Sequence, residues 1–238
     1  MRASGAFAVL TIAAAIGLVY PAIPADAVPA SRLRPTIASS RQFASYALAP
    51  APATVSASTT LVVPKVAGCP STSTGVDAAV LVTTGSGATA SASAGDVFLS
   101  CNHGQPHFGL GFLLNGARTS FLDPAPGDTI VLGVSVTSTK VMVGIYDRTK
   151  GFAKIVSGPG AVGVKVFLGM FAVTGTGPLE PIPNFGAMSF GSASIDGSTP
   201  AAVHAVATNM KNRTGTLQIA TSPLGAAGNS WTENFKHS

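Results

Sequence analysis

A cysteine and two histidines lie close together in the middle of the chain, with the spacing Cys101-x-His103-x₃-His107. Thiolate sulfur and imidazole nitrogen both bind Zn²⁺ well, so the spacing is compatible with a metal site. A disulfide at Cys101 would remove one ligand, and loop histidines beside glycine and proline are usually solvated, so we expect no metal and no cofactor. Ser100, His103 or His107, and Asp96 supply the residue types of a hydrolytic triad. No Gly-x-Ser-x-Gly motif accompanies them, and we expect no such activity there.

Acidic and aromatic side chains are the other candidates for chemistry. The chain has two glutamates, Glu180 and Glu233. Glu180 stands in a proline-containing stretch, so we expect a solvated charge in a loop. Trp231 is the single tryptophan. It is predicted to pack in a last strand with Phe235, and the alternative is a platform on which a sugar ring stacks.

The elements that must position these residues are predicted to be strands. Runs rich in β-branched and aromatic residues alternate with short stretches of Gly, Pro, Asp and Ser, and helical periodicity is rare. This pattern predicts an all-β fold, an antiparallel β-sandwich, in one domain that spans residues 59–238. The predicted strands are Thr59–Pro64, Ala78–Thr84, Asp96–Ser100, Phe108–Leu114, Thr129–Val136, Lys140–Tyr146 and Gly163–Val173.

The N-terminal 58 residues have a different composition from the rest. Arg2 precedes an apolar run from Ala6 to Tyr20, and residues 1–27 end in the small-residue pattern of a cleaved secretory signal peptide. The run is shorter than the roughly 20 residues that a spanning helix needs, and no later segment predicts a membrane span. Residues 28–58 are rich in Ala, Pro, Ser and Thr, which predicts a flexible linker or pro-segment. The protein is therefore expected to be secreted, either extracellular or in the cell envelope.

The net charge bears on possible binding partners, and the cysteine content bears on disulfide bonding. Without residues 1–27 the chain loses one of 14 basic and one of 9 acidic residues, so its net charge stays at +5. The basic residues are scattered, and no arginine cluster predicts nucleic-acid binding. Two cysteines in an exported chain predict one disulfide between Cys69 and Cys101. Two separate buried thiols are the alternative.

Several motifs, in order, resemble those of the secreted glutamic peptidases. The run Pro181-Ile-Pro-Asn-Phe-Gly-Ala-Met-Ser-Phe190 resembles that family's L-P-L-A-N-F-G-x-V-x-F, and the stretch Asp123-Pro-Ala-Pro-Gly-Asp-Thr-Ile130 resembles its x-P-G-D-x-I. The turn Asp147-Arg-Thr-Lys-Gly151 is similar to its D-x-T-x-G turn. The resemblance covers roughly Thr59 to Phe235 and implies a concanavalin-like jelly roll. The cysteines also stand where many members of the family have a pair.

The family works with one glutamine and one glutamate, and neither is found at the matching positions. Its L-Q-T-G corresponds to Ala92-Ser-Ala-Gly95, and its A-E-W-I corresponds to Val166-Phe-Leu-Gly169, which puts Ser93 and Phe167 in place of the pair. A phenyl ring cannot exchange a proton as a general base must. We expect a catalytically inactive domain that binds a peptide, a protein or a cell-envelope polymer. The alternatives are an active acid endopeptidase of the same family and a lectin-like carbohydrate-binding module.

Overall fold

The computed structural model describes residues 38–40, 42–71, 75–85, 90–172, 181–212 and 214–236, and these contain fifteen strands and no helix. No helix of the described part is therefore long and apolar enough to cross a membrane. The strands are β1 (Ala38–Ser40), β2 (Phe43–Leu48), β3 (Val55–Val62), β4 (Val76–Thr84), β5 (Ser91–Asn102), β6 (Gln105–Leu114), β7 (Ala117–Leu122), β8 (Thr129–Val136), β9 (Lys140–Asp147), β10 (Phe152–Pro159), β11 (Gly163–Ala172), β12 (Ala187–Ile195), β13 (Val206–Lys211), β14 (Leu217–Thr221) and β15 (Trp231–Phe235).

Fourteen of the strands follow one another in a single hydrogen-bonded path, and their order is β10-β9-β8-β3-β12-β15-β14-β13-β2-β11-β4-β5-β6-β7. Every pairing along this path is antiparallel, and β1 adds to β13 in parallel. The path curls so that β8 and β9 lie across from β4 and β5. At Gly95 the two layers are so close that an added Cβ would lie 3.2 Å from Ile145 Cγ1. The predicted antiparallel β-sandwich is confirmed.

The core between the layers comes from alternating side chains. In β3 and β9 buried and partly exposed residues alternate along the strand, because successive side chains of a strand point to opposite faces. The inward residues are mostly valine, isoleucine and leucine, which suit a pleated surface. The largest fully buried side chains of the domain are Phe112, Phe185, Phe190, Leu61, Leu99, Leu110, Ile130, Leu132, Ile145, Leu168, Met170 and Ile182.

The linker prediction for residues 28–58 is wrong from residue 38 onward. β1, β2 and the first half of β3 lie in this range, and β2 is a central strand between β11 and β13. Ala44 and Tyr46 of β2 point into the core. Of the other residues of β2 only Leu48 also packs on the core, so the composition resembled that of a linker. Residues 1–37, including the predicted signal peptide, lie outside the described residues.

The predicted disulfide is confirmed. Cys69 and Cys101 are bonded, with their Cα atoms 5.4 Å apart. The bond ties the loop that follows β3 to the end of β5. This pairing excludes the alternative of two separate buried thiols.

Candidate functional site

The face of the sheet that points away from the core carries a second apolar cluster. The pairing registers place Phe167, Leu81, Ala94 and Leu113 side by side on β11, β4, β5 and β6. Their sequence neighbours on these strands point into the main core, so these four side chains point outward. Together with Ala79, Phe43 and Phe171 they form a cluster separate from the core. We call this side of the sheet the outer face.

Three phenyl rings cover part of the outer face. Phe43 and Phe167 stack with ring centroids 4.9 Å apart, and Phe171 meets them edge-on at 5.2 and 6.1 Å. Between these rings in register lie two small residues, Ser45 and Gly169, which pair with each other. A Cβ at Gly169 would overlap the backbone of β2, which explains the glycine. Ser45 is fully buried, and its hydroxyl has no hydrogen-bond partner among the described residues.

Ser93 does not face Phe167. It pairs with Val82, which pairs with Val166, and all three side chains are buried on the core side of the sheet. Ser93 Oγ accepts a hydrogen bond from the backbone nitrogen of Asn115 at 3.0 Å. Ser93 therefore holds the turn between β6 and β7, and Phe167 lies on the opposite face.

An ion-paired cluster lies on the outer face beside the apolar one. Arg118 of β7 reaches over β6 and donates two hydrogen bonds to Asp77, at 2.8 and 2.9 Å, and one to Asp96 at 3.1 Å. Its guanidinium carbon lies 5.3 Å from the centre of the Phe98 ring. β6 has Gly111 beneath this contact, where an added Cβ would lie 2.8 Å from Asp96 Oδ1. Glycine at position 111 therefore leaves space for the Asp96 carboxylate.

Both carboxyl groups of this cluster titrate abnormally. Burial raises the pKa of Asp77, against the lowering effect of Arg118. Burial, and next the charge of Asp77, raise the pKa of Asp96 to about 7, and Arg118 opposes the shift. A carboxyl of this kind can exchange a proton near neutral pH, although ion-pair networks of a purely structural kind shift pKa values as well. From the sequence alone Asp96 was a candidate only as a partner of Ser100. The overlooked signal was an acidic residue at one of the alternating positions of an apolar strand.

The other predicted candidates do not assemble into a site. Cys101 is in the disulfide, and the side chains of His103 and His107 are exposed. The described residues contain no group of three or more His, Cys, Asp or Glu side chains that could hold a metal ion. Ser100 pairs with His107, but Asp96 pairs with a glycine four pairs farther along β5 and β6 and is bound by arginine.

Glu233 and Trp231 belong to the core, not to a surface site. Trp231 stacks on Phe190 at 4.9 Å and meets the Tyr46 ring edge-on at 5.2 Å. It is buried, so its packing role is confirmed and it offers no platform for a sugar ring. Glu233 is completely buried beside it. Glu180 lies outside the described residues.

Comparison with known proteins identifies the fold. No known protein family and no curated protein matches the chain by sequence. Scytalido-glutamic peptidase, solved with a peptide-based transition-state analogue, superposes with a TM-score of 0.64 at 14% identity, over 81% of this chain and 97% of that chain. SCP-B of the eqolisin family, in a complex with the tripeptide Ala-Ile-His, gives 0.61 at 14% identity over 81% and 97%. Aspergilloglutamic peptidase from Aspergillus niger gives 0.54 at 16% identity over 68% and 99%.

The fold is glutamic-peptidase-like. The sequence resemblance is thereby confirmed for the fold. At these identities the likeness carries no statement about activity.

Proposed function

We propose that the protein is a secreted domain of glutamic-peptidase-like fold that does not hydrolyse peptides and instead binds a peptide, a protein or a cell-envelope polymer on its outer face. One observation carries the proposal. Among the described residues, the pairing registers put no glutamate on that face, and the one glutamine they put there, Gln105, pairs with Asn102 at the start of β6, eight residues from Leu113 and the position of Phe167. The observation does not depend on the alignment of any single position.

The side chains that occupy the outer face explain why hydrolysis should be absent. Phe167 has no proton to give or take, and its ring packs against Phe43 where a base would need to hold a water. If the family's pair shares one face, the residues of β5 to compare with its glutamine are Ala92 and Ala94, the outer-face neighbours of Ser93. Neither methyl group can donate a hydrogen bond to a developing oxyanion.

Secretion and binding have separate support. The signal-peptide pattern of residues 1–27 and the disulfide agree with an oxidising extracytoplasmic compartment. The part-exposed apolar side chains of the outer face, Phe43, Leu81, Leu113 and Phe167, offer a surface for apolar groups of a polymer. Two of the similar structures were solved with a peptide-based inhibitor or a tripeptide, so a peptide is the first ligand to test.

A second candidate is an acid hydrolase in which another carboxyl has taken over the reaction. The observation that favours it is the pair Asp77 and Asp96 on the outer face, with the pKa of Asp96 at about 7. Against it stands Arg118, which donates to an oxygen of each carboxyl and holds both in place. Such a cluster suits an ion-paired link between strands better than a general base that must approach a water molecule.

Hydrolysis of fluorescently labelled, denatured serum albumin distinguishes the two candidate functions. We expect no hydrolysis by the mature domain between about pH 2 and 7, the range in which an Asp or Glu base could operate. Turnover that copurifies with the domain and disappears in Asp96→Asn would refute the proposal and support the second candidate.

The fluorescence anisotropy of the same labelled albumin measures binding. Phe167→Asp should weaken it, and Ile155→Asp, at an exposed apolar position of β10, is the matched control. Equal binding by both variants would exclude the outer face.

A further inference from the structure

The contacts around Glu233 need one more donated proton than its neighbours supply if its carboxyl group is ionised. Trp231 Nε1 donates to Glu233 Oε1 at 2.8 Å. Thr221 Oγ1 lies 2.8 Å from Glu233 Oε2 and 2.6 Å from the backbone oxygen of Thr208. The hydroxyl of Thr221 has a single proton to donate. A carboxylate and a carbonyl are both acceptors, so one of these contacts would bring two oxygens together without a hydrogen between them.

A protonated Glu233 removes this conflict. Its O–H donates to Thr221 Oγ1, and the Thr221 hydroxyl then donates to Thr208. The other carboxyl oxygen is the carbonyl that accepts from Trp231. Every polar atom of the group then has a partner of the right kind, as buried polar groups require.

The strands around Glu233 offer nothing that would compensate a negative charge. β12 and β14, which pair with β15, contain no titratable side chain, and neither does the rest of β15. Lys211 ends β13, the strand beyond β14, but no described residue forms an ion pair with Glu233. Tyr46 of β2 is the titratable group nearby. Its hydroxyl donates to the backbone oxygen of Ser222 at 2.9 Å, and burial, followed by the charge of Glu233, raises its pKa to about 12.

We propose that Glu233 is a neutral carboxylic acid in the folded domain, and that loss of this proton in alkaline medium loosens the pairing of β14 with β15. The proton is part of the hydrogen-bond chain that joins β15 through Thr221 to β13. An ionised carboxylate at the same place would face the Thr208 carbonyl across Thr221 with no counter-ion. The domain is thus a pH-sensitive fold, independently of any activity on its outer face.

The titration of Glu233 has a definite direction. Burial raises its pKa from 4.5 to about 8, against the lowering effects of the Thr221 and Trp231 hydrogen bonds. Because the folded pKa lies above the unfolded one, the stabilisation is complete below the unfolded value. It is lost as the pH rises through the folded value.

Two glutamates make a direct measurement possible. Selective ¹³C labelling of glutamate should give two side-chain carboxyl resonances, and Glu180→Gln assigns them by deleting one. We expect the Glu233 resonance to keep the chemical shift of a carboxylic acid at pH 6 and to move only in alkaline solution, at about the pH where burial places its pKa. A resonance that titrates near the reference value of about 4.3 overturns the proposal.

Glu233→Gln tests the coupling to stability. Its amide can donate to Thr221 and its carbonyl can accept from Trp231, so it imitates the neutral acid. The ratio of the unfolding constant of the wild type to that of the variant should rise about tenfold per pH unit between about pH 5 and 7.5, the slope of one proton. A ratio that stays constant across this range contradicts the proposal. If the variant does not fold, the carboxyl titration of the wild type decides alone.

Discussion

Arg118 is the residue whose removal tests most directly what the outer-face cluster does. Its guanidinium makes three hydrogen bonds to two carboxyl groups from different strands. Asp77 and Asp96 are 9% and 2% exposed, so neither can recover full hydration when the arginine is lost. Methionine at position 118 keeps the apolar stem over β6 and removes the charge.

The magnitude follows from burial and from the pKa values. Removing one partner of a buried ion pair commonly costs about 3–5 kcal/mol, because a charge stays buried without compensation. The Arg118 side chain is 35% exposed, so water can replace part of it. Asp96, with a pKa of about 7, can also take up a proton at little cost near neutral pH. We therefore expect Arg118→Met to lose about 2–3 kcal/mol at pH 7, below the fully buried case.

The loss should depend on pH in a direction that the pKa shifts fix. The folded pKa values of Asp77 and Asp96 lie above the ordinary value of 3.8 and will rise further without the arginine. A carboxyl group whose pKa is raised in the folded state stabilises the fold below its unfolded pKa. This stabilisation is lost as the pH rises through its folded pKa. The loss of unfolding free energy in Arg118→Met should therefore shrink to below about 1 kcal/mol at pH 4, where each carboxyl takes up a proton at little free-energy cost.

Urea unfolding at pH 4 and pH 7 measures both values, with the fluorescence of the single, buried Trp231 as the signal. Arg148→Met removes an equal charge from an exposed turn and should stay within about 0.5 kcal/mol of the wild type at both pH values. An equal deficit for Arg118→Met at pH 4 and pH 7 would show that its effect comes from packing and not from the carboxyl groups. No deficit at either pH would show that the cluster has no structural role.

Two further predictions concern the exported form of the protein. The disulfide closes a loop with a sequence separation of 32 residues. Replacing Cys69 and Cys101 by serine should therefore lower the free energy of unfolding by about 3–4 kcal/mol in a denaturant titration, and a much smaller change would mean that the unfolded chain is already constrained. Intact-mass measurement of the exported protein should give a chain that begins near Val28, because small residues precede it at the cleavage positions; a product that retains residues 1–27 would contradict this.

The strands that the sequence predicted well are those with continuous β-branched runs. The predicted Thr129–Val136 coincides with β8, and the predicted Lys140–Tyr146 lacks only the last residue of β9. The strands that it missed have small or polar residues at half or more of their positions, as in β2 and β7. Such strands form because neighbours pair with them on both sides or because one long side chain anchors them. These causes lie outside any local window of sequence.

The composition of the candidate site was harder to predict than the strands. The sequence drew attention to Phe167, but only the registers show that Ser93 faces the core, since a shift of one residue moves a side chain to the opposite face. Asp77, Asp96 and Arg118 come from β4, β5 and β7 and meet only after the four strands β4 to β7 have paired. Their spacing along the chain contains no motif.

The raised pKa values of Asp96 and Glu233 affect how any pH profile of this protein should be interpreted. One carboxyl lies on the outer face and the other in the core, and each favours the folded state more at acidic than at alkaline pH. Binding or turnover that declines between about pH 6 and 9 could therefore report the loss of folded protein and not a catalytic group. Glu233→Gln separates the two carboxyl groups, because it removes the core proton and leaves the outer face untouched. A profile that moves to higher pH in this variant reports loss of folded protein through Glu233, and one that does not move reports an outer-face group such as Asp96, through stability or through chemistry.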